Sequence, residues 1–170
     1  SQPPSTEMRC YWAIAKFQMG ENQIATKTAE MLWNVGYSQH DACNELFKVW
    51  YRSGGPNDEL IWSRAVKAAD QRNGYLIRYI RRFASPDLRS TLDTFYAVYL
   101  QPTRARKNLR GTAARQADIA TYALKRIARS DSARGLNLLS AWKSRFDFSS
   151  KQVKEGEARA LRKVLLDTDD

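Results

Sequence analysis

The sequence predicts an all-α fold, an α-superhelix or solenoid of short antiparallel helix pairs, about nine or ten helices in all. Three observations predict it. Apolar residues recur three and four positions apart along most of the chain, the spacing that lines one helical face. Gly, Pro and Asn-Gly signals interrupt that pattern at roughly 15–20-residue intervals. Ala, Leu, Arg and Lys are plentiful, while eight glycines and five prolines are few for an all-β domain with a turn every few residues. A compact helical bundle is the alternative arrangement of the same elements.

The elements follow in order. Residues 1–5 read as a Pro/Ser/Gln linker. A helix starts behind Ser5 or Thr6, carries Tyr11, Trp12, Ile14 and Phe17 and ends before Gly20. The second spans Asn22 to Asn34, with Gly36 placed to stop it in a left-handed cap. Asp41 is the expected N-cap of the third, which runs to Arg52 and closes at SGGPND. The fourth covers Asp58 to Arg72 and breaks at Asn73-Gly74; the fifth covers Tyr75 to Phe83. Ser85-Pro86 opens the sixth, which Gln101-Pro102 ends. A brief segment from Thr103 to Leu109 precedes helices over 113–129, 132–146 and 149–166, with Asp131 and Ser149 or Ser150 as caps. Residues 6–167 thus form a single α-superhelical domain, followed by a frayed acidic tail at 168–170.

The stretch Ala29–Trp50 is the corner of this array. Leu32 and Trp33 before the turn face Leu46, Phe47 and Trp50 after it. The chain's two cysteines flank it. Cys10 lies early in the first helix and Cys43 early in the third, helices that run the same way with both cysteines near the same end. Adjacent packing is compatible with the Cα approach of about 7 Å or less that a disulfide needs. A Cys10–Cys43 bridge is favoured over two buried thiols, and a bridge implies an oxidising compartment.

The net charge of +10 suits a polyanionic partner, whether nucleic acid, anionic lipid or a polymer bearing carboxylates. Ten of the basic residues fall between Arg72 and Arg115 against only Asp87 and Asp93. Within that stretch Arg78, Arg81, Arg82, Arg104, Arg106 and Lys107 form the candidate binding face, since guanidinium forks suit carboxylates. A solvated outer face is the plainer account of the same charges.

No reaction constellation stands out. His40 is the only histidine, and with two cysteines it falls short of a four-ligand zinc set, so no metal or cofactor is expected. Glu155 and Glu157 lie two apart on one helix and do not share a face. Trp12, Trp33, Phe47, Trp50, Trp62 and Trp142 fall on apolar stripes and read as core. Tyr51, Tyr75 and Tyr96 fit the stripes less well and are the aromatics expected to be exposed. No apolar run approaches a membrane span, and the SQPPSTE start, without Met or a signal, reads as an excised or mature piece.

Taken together, Ala29 to Trp33, Gly36, Ser38, Gln39, Ala42, Cys43, Leu46, Phe47 and Trp50 resemble the N-terminal superhelical (U-type) region of the soluble lytic murein transglycosylase family. Cys10 to Lys16, Gly20 and the spacing of the cysteines share the resemblance, which is close from Thr6 to Gly74 and looser beyond. His40 stands where that family usually has proline, and Asn44 where it usually has aspartate. The resemblance implies a segment of a bacterial periplasmic enzyme that cleaves peptidoglycan between N-acetylmuramic acid and N-acetylglucosamine, leaving 1,6-anhydromuramoyl ends. It implies, too, a catalytic glutamate in a C-terminal lysozyme-like domain. None of the seven glutamates here is followed by serine and no GLMQ-like segment occurs, so no catalytic residue carries over. The expected role is therefore a non-catalytic module that scaffolds its own catalytic domain and touches glycan strands or stem peptides. A helical-repeat scaffold for an acidic protein partner is the alternative, and a nucleic-acid-binding solenoid the weaker one.

Overall fold

The computed structural model describes residues 3–106 and 108–167, with side chains through residue 162. The regular secondary structure of the described residues is all helical, nine α-helices and three 3₁₀ turns, which is the expected fold class. They group into two compact units, Ser1–Ser85 and Pro86–Asp170. No helix among them is long and apolar enough to cross a membrane.

The first unit holds α1 (Thr6–Gln18), α2 (Asn22–Trp33), α3 (Asn44–Arg52), α4 (Asp58–Asp70) and α5 (Gly74–Ile80), with 3₁₀ turns at Asp41–Cys43 and Arg81–Phe83. Side-chain caps set several starts. Ser5 accepts from the Met8 amide, Asn57 from Leu60 and Asn73 from Leu76, each relieving an amide that has no partner inside its helix. Helices α1, α2 and α3 pack on one another, and α4 on α5. Ala13, Ala25, Ala29, Trp33, Leu46, Trp50 and Ile61 are buried between them.

The Cys10–Cys43 disulfide is formed, with Cα atoms 5.0 Å apart, and fastens α1 to the turn that enters α3. Two expectations around this turn are corrected. Asp41 is not the cap: His40 holds that place, its Nδ1 accepting from the Ala42 amide at 3.1 Å while Asp41–Cys43 winds as a 3₁₀ turn. Nor does Gly36 adopt the left-handed conformation, which falls instead to Gly20, Gly54, Gly55 and Gly111 and to Arg72. Gly36 is needed for space. A Cβ there would sit 2.4 Å from the Lys67 carbonyl oxygen, so only glycine lets this loop lie directly on α4.

The second unit holds α6 (Pro86–Leu100), a 3₁₀ turn at Pro102–Arg106, α7 (Ala113–Ser130), α8 (Ser132–Trp142) and α9 (Ser150–Asp167). α7 is its axis, packed by α6, α8 and α9 and burying Ile119, Ala120, Tyr122, Ala123 and Leu124. Gly135 lets α8 approach closely, since a Cβ there would meet the Ala128 Cβ at 2.5 Å. Asp131 caps α8 as expected, accepting from Arg134. α8 stops at Trp142, short of the expected Phe146. Ser149 and Gln152 close a reciprocal capping box on α9.

Candidate functional site

The α4 stripe buries Ile61, Ala65 and Ala68, and the same face carries Arg64, a cation only 4% exposed. Its guanidinium lies 4.3 Å from the centre of the Trp33 ring. Nε donates to the Val35 carbonyl at 3.1 Å and Nη2 to the Tyr37 carbonyl at 3.2 Å. Lys67 donates to the Asn34 carbonyl and Gln39 to the Leu32 carbonyl, both at 2.8 Å, so three side chains hold the backbone that leaves α2. Burial lowers the Arg64 pKa to about 10, opposed by the Tyr51 and Tyr79 phenols.

Trp33 is the pivot of this region. Its Nε1 donates to the Tyr51 hydroxyl at 2.8 Å, and its ring meets Trp50 and Phe83 edge-on at 5.7 and 6.2 Å. Tyr51 in turn lies 4.5 Å from Phe83. Burial raises the Tyr51 pKa, and the Trp33 hydrogen bond opposes that rise. Beside this cluster is a cavity of about 240 Å³ lined by Ser38, Asn44, Tyr51, Arg64, Tyr75 and Tyr79, among others.

The candidate basic residues are distributed between the units. Arg78, Arg81 and Arg82 are exposed on α5 and the turn after it. Arg82 donates to the Tyr79 carbonyl at 3.1 Å and lies 4.2 Å over the Tyr79 ring. Arg104 and Arg106 are exposed on the second unit's 3₁₀ turn. Arg104 Nε donates to the Gln101 side chain at 3.0 Å and borders an open groove of about 920 Å³ with Asp93, Gln101 and Arg110. The Arg106 carbonyl accepts from Arg145 at 2.7 Å. Lys107 lies outside the described residues.

Trp33, Phe47, Trp50, Trp62 and Trp142 are buried as their stripes predict, whereas Trp12, expected in the core, is half-buried. Of the three tyrosines expected outside, Tyr75 is 76% exposed. Tyr51 and Tyr96 are half-buried instead, the first held by Trp33 and the second stacked on Tyr99. Arg64 carries a signal in its position. It follows Ile61 by three and precedes Ala68 by four, which places a charge on an apolar stripe. No group of three or more His, Cys, Asp or Glu suited to a metal ion occurs among the described residues.

No family model matches the chain. Over 68 residues it is 37% identical to the soluble lytic murein transglycosylase of Escherichia coli strain K12, a match covering 40% of this chain and 10% of the relative. The Salmonella typhimurium protein of the same name matches to the same extent. Among solved structures, an inactive mutant of lytic transglycosylase Slt from Pseudomonas aeruginosa aligns with a TM-score of 0.79 at 28% identity, covering 92% of this chain and 26% of that one. The 70 kDa soluble lytic transglycosylase of Escherichia coli aligns over 94% of this chain and 26% of that one, with a TM-score of 0.73 at 24% identity, and shows the fold alone. The chain is thus homologous to soluble lytic murein transglycosylases, has their superhelical fold class, and spans about a quarter of the solved chains it matches.

Proposed function

We infer from homology to the soluble lytic murein transglycosylases that this chain is a non-catalytic superhelical module, residues 6–167, of a longer periplasmic enzyme of that kind. In this reading it scaffolds a catalytic domain carried elsewhere in the protein and touches peptidoglycan through Arg78, Arg81, Arg82, Arg104, Arg106 and Lys107. The 37% identity over 68 residues carries the proposal. The Cys10–Cys43 bridge supports the compartment, because disulfides persist where the surroundings are oxidising. A net charge of +10 suits a polymer whose peptides bear carboxylates.

Sedimentation with purified sacculi tests the contact. Binding is expected at low salt, to fall as salt rises, and to weaken when Arg81 and Arg82 are both replaced by Ala. No co-sedimentation at low salt would overturn the peptidoglycan contact. The chain alone is expected to release no soluble glycan fragments from the same sacculi, and release would overturn the non-catalytic role.

A further inference from the structure

We propose that the first-unit cavity binds the carboxylate of a small amino acid, with the Arg64 guanidinium and the Tyr51 hydroxyl as its two donors. A guanidinium has five N–H donors, and Arg64 commits only Nε and one N–H of Nη2 to the Val35 and Tyr37 carbonyls. Holding the loop therefore accounts for part of this side chain. Among the described residues no carboxylate pairs with it, although it is 4% exposed and lines the cavity. A buried cation lacking a counter-ion is costly, and an entering carboxylate supplies the missing charge.

Tyr51 complements it. Its oxygen accepts from Trp33, which leaves the hydroxyl proton to donate, and no acceptor for it occurs among the described residues. Both donors border the same cavity and are set by one indole, whose ring lies under the guanidinium and whose N–H binds the hydroxyl. Donors fixed before a ligand arrives lose little freedom on binding it. The cavity's size of about 240 Å³ lies below that of drug-sized pockets and suits one amino acid. Asp41, exposed, also lines it. A second negative charge there disfavours a dianion and favours a carboxylate accompanied by an ammonium group.

This inference is independent of the proposed role in peptidoglycan metabolism, since the amino acid is tested alone on the intact chain. With tryptophan indoles labelled by ¹⁵N and Trp33 assigned through Trp33→Phe, alanine is titrated in its D and L forms. A saturable shift of the Trp33 indole is expected with alanine, a weaker one with acetate, and none with alanine methyl ester or inorganic phosphate. Arg64→Lys is expected to weaken alanine binding about ten-fold or more, because lysine lacks the planar fork. If that variant does not fold, Tyr51→Phe decides, with a several-fold weakening expected. Absence of a saturable shift, an equal shift with the methyl ester, or unchanged affinity in a folded Arg64 or Tyr51 variant overturns the proposal.

Discussion

The indole N–H of Trp33, at the end of α2, donates to the hydroxyl of Tyr51, near the end of α3, at 2.8 Å. Trp33 is fully buried, so this bond answers a donor that water cannot reach. Tyr51→Phe removes the acceptor and leaves the indole N–H without one. We expect a loss of about 1–3 kcal/mol in urea unfolding. Trp33→Phe removes the donor but creates a cavity as well, so its loss should be at least as large.

Alkaline pH tests the same pair differently. Burial raises the folded-state pKa of Tyr51 above its usual 10.0. The unfolded chain therefore gives up this proton first as pH rises. The stabilisation linked to Tyr51 is complete below its unfolded pKa and is lost as pH climbs through the folded one. The stability difference between the parent chain and Tyr51→Phe should narrow above pH 10, measured by urea midpoints across that range.

The Cys10–Cys43 bridge closes a loop over a sequence separation of 33. Loop entropy in the unfolded chain gives it roughly 3–4 kcal/mol. The double replacement of Cys10 and Cys43 by Ser and the reduced parent chain should lose closely similar amounts in denaturant titrations. A thiol count on the unreduced, denatured protein should return none.

Two glycines should respond to alanine for different reasons. At Gly20 φ is +79° with nothing near a Cβ, so Gly20→Ala should cost about 1–2 kcal/mol from backbone strain alone. At Gly36 the backbone conformation is ordinary but the Lys67 carbonyl blocks the side chain. Gly36→Ala must lift the loop from α4 and should cost about 3 kcal/mol, as overpacking does. Amide hydrogen exchange should then speed up in residues 34–38 for Gly36→Ala and not for Gly20→Ala.

Periodicity and punctuation made the helices legible, because each apolar stripe is local to its segment. Ser5, Asn57 and Asp131 cap as a polar residue before a helix should. What escaped depends on contacts between segments. Gly36 looked like a helix stop because glycine often ends helices, but its requirement comes from α4, about thirty residues further on. Asp41 has the side chain of a usual cap, yet the Ala42 amide donates to the His40 Nδ1, an acceptor that imidazole seldom offers at a helix start. Charge density marks Arg81 and Arg104, which are exposed, while Arg64 lies outside the basic cluster, on the apolar stripe of α4. Its signal was position on the stripe and not company in a cluster.

The bridge between Cys10 and Cys43 also turns this part of the chain into a covalent ring that contains all of α2. One cut in the backbone between the two cysteines opens that ring without releasing either piece. Limited proteolysis within residues 11–42 should therefore leave a product of unchanged mass, apart from one added water, until a reductant is supplied. Trp33 and its partners then stay tethered through a nick that would detach α1 from an unbridged chain.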